Sequence, residues 1–237
     1  MFDDMIPDIS PIGLALAFVP TAIVICIMWQ WQSMASTAIY ASIRMLIQLL
    51  LIGYVLIYIF ESDQWFVITV ALVVMLLTAS WIAIRTLGKR SVRAYLQALC
   101  AIAVGGVFTL GLVTQFVVNV DPWFSPRYVV PLAGMIFAGS MNAVSLAAER
   151  FQAESTRGED FINAKRTAFQ AALIPIVNSL FAVGIVSLPG MMTGQILSGV
   201  SPLVAAQYQI VVMSMLFGAT GISAAMYLSL QGAKKAS

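Results

Sequence analysis

Long apolar runs broken by short polar stretches dominate the chain. Crossing a hydrocarbon core of roughly 30 Å takes roughly 20 residues of helix. Runs near that length fall at about 11–29, 45–60, 65–84, 95–117, 128–148, 168–187 and 205–230. They predict an all-α, polytopic membrane fold with about seven transmembrane helices and a single transmembrane domain over residues 1–237. The second run is short, but residues 30–44 before it (QWQSMASTAIYASIR) carry no charge until Arg44; they either extend that helix or lie along the interface. Between the last two runs, Pro189, Gly190, Gly194, Gly199 and Pro202 interrupt helical periodicity and predict a broken or re-entrant segment near 188–202 that does not face lipid. Gly190 is expected to need positive φ there, so Gly190→Val should cost more than Met191→Leu.

The polar residues between runs give an orientation. Arg44, Arg85, Lys89, Arg90, Arg93, Arg150, Arg157, Lys165, Arg166, Lys234 and Lys235 fall on one side of a seven-span arrangement. Asp3, Asp4, Asp8, Glu61, Asp63 and Asp121 fall on the other, with Arg127. Basic loops stay in the cytoplasm, so the N-terminus is expected outside and the C-terminus inside. Trp29, Trp31, Trp65, Trp81 and Trp123 sit near predicted span ends, where an aromatic belt would place them. The acidic opening MFDDMIPDIS lacks the basic start of a cleavable signal, so the first span is expected to stay.

Composition narrows the chemistry. The chain of 237 residues is 61% hydrophobic and 9% charged, with mean hydropathy +0.95; a soluble domain carries about 25% charge. A net charge of +2 without a basic face argues against nucleic-acid binding. With no histidine there is no imidazole metal site or histidine proton relay. Cys26 and Cys100 lie singly in apolar runs and read as small buried hydrophobes. No acid or base is centred in a predicted span, which points to an energy source outside the membrane segment. The nearest approach to a phosphate-binding loop, residues 86–91, lacks the upstream glycine and the Ser or Thr after Gly-Lys. The chain is therefore expected not to be an enzyme and to bind no cofactor, with ATP and Mg left to a separate subunit.

The polar groups expected at membrane depth are neutral: Gln48, Asn142, Asn178, Ser179 and Gln195, with Gln207 and Gln209 nearby. They either line a passage or hydrogen-bond between helices, the latter for about 1 kcal/mol each. Asn178 and Ser179 follow Pro175, where a disturbed helix would free carbonyls facing the same interior. Met191 and Met192, with Met135 and Met141, offer soft thioethers suited to copper(I) rather than hard iron(III), or else fill gaps in the packing. Gly105 and Gly106, and the spacings Gly134/Ala138, Ala138/Asn142 and Gly221/Ala225, read as close helix packing or as a homodimer seam.

The segments ALIPIVNS, VGIVSLPGMMTGQILSG, SPLVAA and YQIVVM (172–213), with SIRMLIQLLLIGYVLIYIF (42–60) and VPLAGMIFAGSMNAVSL (130–146), resemble the membrane permeases of Fet-type iron-export ABC transporters. Plant permeases linked to aluminium tolerance share that architecture. The resemblance implies an inner-membrane permease, a homodimer, served by a separate cytoplasmic ABC ATPase and exporting iron or another metal ion. It also places a cytoplasmic coupling loop at 149–170, a stretch with eight charged residues. There Phe161 and Ile162 would be apolar anchors among Arg157, Lys165 and Arg166, and Glu154 an exposed rim charge. This stretch departs from the family pattern: it looks shorter, and residues 154–160 (ESTRGED) replace a Leu-Gly-Ala-Thr-Pro segment. The substrate path would use Gln48, Asn142, Asn178, Ser179, Met191, Met192 and Gln195. Two rival readings remain at this point, a permease for an organic or nucleotide-sugar solute and a membrane assembly protein that transports nothing.

Overall fold

The computed structural model describes residues 10–61, 64–87 and 91–232. Asp3, Asp4, Asp8, Asp63, Lys89, Arg90, Lys234 and Lys235, used above for orientation, lie outside the described residues. The chain falls into two compact units, Met1–Glu61 and Ser62–Ser237.

In the first unit, Ser10 starts α1 (Pro11–Ala17), its Oγ accepting from the Gly13 N–H at 3.1 Å. The helix is interrupted at Phe18 and resumes as α2 (Val19–Gln30). Pro20 accounts for the break, because it has no N–H to offer the turn before it. α3 (Ala35–Glu61) runs for 27 residues against α2. Most of the 30–44 stretch therefore extends the second span.

The second unit contains α4 (Trp65–Ala83), α5 (Val92–Leu112), α6 (Pro126–Thr156), α7 (Phe161–Ala182), α8 (Gly190–Leu197) and α9 (Pro202–Ser229). α5 ends in a π-helical turn, Val113–Val117. The core is the mutual packing of α5, α6 and α9; α4 covers α5 and α6, α7 lies on α6 and α9, and α8 on α9. Small residues make this approach possible. A Cβ on Gly105 would collide with Ser223, one on Gly106 would lie 2.8 Å from the Phe137 ring, and one on Gly139 would lie 3.1 Å from Thr220. Ile102, Ile136, Val144 and Leu228 fill the space between. Thr109 and Thr220 are buried, and their hydroxyls donate to Gly105 O (2.7 Å) and Leu216 O (2.8 Å) of their own helices. The glycine pair 105/106 thus serves packing within the chain, whereas Gly221 has no neighbour within 4 Å.

Among the described residues there is no strand, and six helices are long and apolar enough to cross a membrane: Pro11–Gln30, Ala35–Glu61, Trp65–Ala83, Val92–Val117, Pro126–Thr156 and Pro202–Ser229. The run at 168–187 falls on α7, which begins earlier, at Phe161, and so takes in Lys165 and Arg166. Its 22 residues reach roughly 33 Å, but it holds no stretch apolar enough to place it with the other six.

The 149–170 stretch is not a loop. α6 continues to Thr156 and α7 starts at Phe161, leaving four residues between them. Gly158 makes the tight reversal possible: with φ +85° it closes α6, while Glu159 N–H donates to Glu154 O at 3.2 Å. Asp160 then caps α7, its carboxylate accepting from Ile162 N–H at 3.1 Å. High charge suggested a loop, but helices that project beyond the apolar layer carry charge on their outer faces without cost.

The break near 188–202 is present as the short helix α8, with Pro189 as its N-cap residue. Gly190 opens α8 without positive φ and has open space around it, as does Gly194. The left-handed positions are Gly184 (φ +82°) and Gly199 (φ +89°), on either side. The positive φ expected at Gly190 is therefore overturned. At Gly199 the demand is real, since Val200 N–H reaches Gln195 O (3.0 Å) only if the chain turns left-handed after α8.

Candidate functional site

Two concavities mark opposite ends of the second unit. At the end rich in basic residues lies a groove of about 650 Å³ formed by the start of α5, the C-terminal turns of α6, Phe161 of α7 and the end of α9. Gln97 fixes one wall: its Nε2 donates to Leu230 O at 2.7 Å, and its Oε1 accepts from Gln231 Nε2 at 3.3 Å. These bonds tie the last carbonyl of α9 to the first turns of α5. Opposite, the ring of Phe161 packs edge-on against Phe151, centroids 5.8 Å apart at 87°. Phe161 is thus half-buried within its own chain, and Ile162, 72% exposed, is the free apolar side chain. Arg166 is exposed, and Lys165 Nζ lies 3.3 Å from Ser229 Oγ. Glu154 is buried rather than exposed, held by Arg150 at 2.6 Å and Arg157 at 3.4 Å. The spacings i−4 and i+3 put both guanidiniums over one carboxylate. Arg157 is thereby committed to closing the turn.

At the other end, a cavity of about 50 Å³ lies between the end of the π turn, the first turns of α6, α8 and the start of α9. Met135 and Met191, which are 56 positions apart in the chain, both line it, with Tyr208 and the stem of Arg127. Its wall is carbon and sulfur, so it suits an apolar or soft guest better than a hydrated ion. Met192 and Gln195 are half-buried on the same short helix. Gln195 Oε1 and Gln209 Oε1 are buried without a partner. No cluster of three or more carboxylate, thiol or imidazole groups suited to a metal ion occurs among the described residues.

The remaining path residues do not line that cavity. Gln48 is exposed on α3, in the first unit, and Asn142 is exposed on α6. Asn178 and Ser179 do not turn to an interior: α7 continues through Pro175, and both residues are exposed. Ser179 Oγ donates to Pro175 O at 2.9 Å, which satisfies it locally. Cys26 and Cys100 are also exposed, not buried; in an apolar helix wall a thiol is small and apolar enough to meet lipid. Sequence reasoning missed the groove, because Gln97, Tyr227 and Gln231 look unremarkable singly and only the fold unites them. An amide one turn inside a span, as at Gln97, was the available signal.

Comparison with known proteins follows the same architecture. The model of the family described as "Uncharacterised protein family (UPF0014)" matches residues 10–165 and 159–235. The chain is 33% identical to the UPF0014 membrane protein slr1647 of Synechocystis over 221 residues, 87% of this chain and 85% of that protein. It is 32% identical to the probable iron export permease protein FetB of Escherichia coli over 232 residues, covering 91% and 88% of the two chains. Identity to Protein ALUMINUM SENSITIVE 3 of Arabidopsis thaliana is 32% over 209 residues, 81% and 74%. No solved structure matches. With the match running through nearly every helix described above, this polytopic all-α membrane chain belongs to the UPF0014 family.

Proposed function

We propose that the chain is the membrane permease subunit of an ABC transporter in the inner membrane, exporting iron or another metal ion with energy from a separate ATPase subunit. The observation that carries this reading is the near full-length match to a relative named as a probable iron export permease. The groove at the basic end supports it. That end carries Arg85, Arg93, Arg150, Arg157, Lys165 and Arg166, the residues expected in the cytoplasm. The groove offers a soluble partner a polar rim with an aromatic floor at Phe151 and Phe161, and Ile162, next to Phe161 in the chain but outside the groove lining, is an exposed anchor. In this reading the N-terminus is outside and the C-terminus inside, and ATP and Mg bind the partner.

The test is co-purification of the chain with a co-expressed ABC ATPase subunit, reconstitution in liposomes, and ATP hydrolysis measured against a panel of iron, manganese, copper and aluminium ions and nucleotide sugars. Stimulation by a metal ion is expected. Stimulation by a sugar nucleotide alone would replace the cargo, and no ATPase association would overturn the permease reading.

A further inference from the structure

Met135 of α6 and Met191 of α8 line one cavity of about 50 Å³, and Tyr208, Val211 and Val212 of α9 form another side of it. A water takes roughly 30 Å³ in the liquid, so the space suits one small guest and no nucleotide sugar. A water held there would need two or more polar partners, but the wall is carbon and sulfur. Arg127 contributes its stem and is exposed as a residue, so its guanidinium can reach water. What the wall does offer is thioether sulfur from two separate elements. Thioethers bind soft ions such as copper(I) and silver(I) in preference to hard ones.

A second observation points the same way. Gln195 follows Met191 by four residues on α8, and Gln209 precedes Val212 by three on α9, so each amide lies one helical turn from a residue of the wall. Gln209 is 5% exposed, and the Oε1 atoms of both amides are buried without a hydrogen-bond partner. A carbonyl oxygen left that way is the negative end of an unanswered dipole, which a cation satisfies and an apolar guest does not. No carboxylate lines the cavity. Taking an ion out of water costs more as its charge rises, and neutral donors alone do not offset that cost for a divalent ion. The donor set thus favours a single positive charge.

We propose that this cavity binds one soft monovalent cation of the copper(I) class, with Met135 and Met191 as its sulfur ligands and Tyr208 as an aromatic wall beside them. Met192, next in the chain to Met191, does not line the cavity, and neither does Met141, further along α6. A bound ion would join the short helix α8 to α6. Binding stands without the permease reading; only a role for the ion as cargo rests on it.

The experiment uses the full chain purified in detergent, with Cys26→Ser and Cys100→Ser so that no thiol competes, and follows silver(I) binding by equilibrium dialysis in chloride-free buffer. One saturable site per chain is expected. Met135→Leu and Met191→Leu conserve volume and should each weaken binding by about tenfold or more, whereas Met141→Leu and Met192→Leu remove the same chemical group and should change it by less than about twofold. Should Met135→Leu fail to fold, Met191→Leu, on a helix with no buried residue, decides alone. The absence of a saturable site, or binding that falls equally in all four variants or in none, would overturn the proposal. Iron(II) and manganese(II) at matching concentrations should not displace silver(I), and displacement by either would overturn the assignment to a soft monovalent ion. None of these readouts needs an ATPase or transport, so a failure here is distinguishable from a failure of the permease reading.

Discussion

Glu154 and Arg150 meet at 2.6 Å one helical turn apart, and the carboxylate of that pair is buried while the guanidinium remains partly exposed. The contact, with Arg157 on the same oxygen, holds the end of α6 to the reversal at Gly158. Removing the acid leaves two cations beside a tight turn. Glu154→Ala should therefore destabilise the folded chain by about 1–2 kcal/mol, less than a fully buried pair because both arginines reach water. Thermal unfolding of the detergent-solubilised protein checks this; an unchanged midpoint would mean that the carboxylate contributes nothing to the turn.

Packing at Gly105 makes a sharper prediction. A side chain there must displace Ser223 and the α9 backbone behind it, whereas Gly221 faces open space. Gly105→Val should cost about 1–3 kcal/mol or more and lower the yield of monodisperse protein, with Gly221→Ala close to neutral. Equal effects on size-exclusion profiles would contradict the close α5–α9 approach.

The re-entrant segment separates two glycines that look alike in sequence. Gly199 has φ +89° and Gly190 does not enter the left-handed region. Gly199→Val should cost about 1–2 kcal/mol of backbone strain, and Gly190→Ala should be tolerated. Comparing melting temperatures of the two variants decides the assignment.

At the groove, Phe161 and Ile162 should part company. Phe161→Asp breaks its edge-on contact with Phe151 and places a charge in a half-buried site, so it should lower stability together with ATPase association. Ile162→Asp touches little within the chain and should reduce co-purification of the ATPase with an unchanged melting temperature. If Ile162→Asp retains full association and full ATP hydrolysis, the partner does not dock at this anchor.

Much of the membrane architecture was legible because apolar runs of spanning length have few alternative fates. The run at 11–29 and the break at 188–202 both appear where periodicity put them. The 149–170 stretch was misread because charge density does not distinguish a loop from a helix that extends past the apolar layer; Gly158 and Asp160, a helix stop and a helix start two residues apart, were the better signal. Side-chain direction was less accessible. Asn178 beside Pro175 suggested an inward amide, but the burial of Ala164, Ala168 and Ala172 fixes the rotation of α7 the other way. Likewise Glu154 looked like a rim charge until the fold showed two arginines closing over it.

α9 runs unbroken for 28 residues, with its only proline at the first position. Tyr208 near one end borders the small apolar cavity, and Tyr227 near the other borders the groove. The two rings are separated by about 28 Å of continuous helix. Such a rod does not shorten, and its far end is pinned to α5 through Gln97. A push delivered at the groove must therefore tilt or slide the whole of α9, so the cavity of Met135 and Met191 cannot keep its shape while the groove changes.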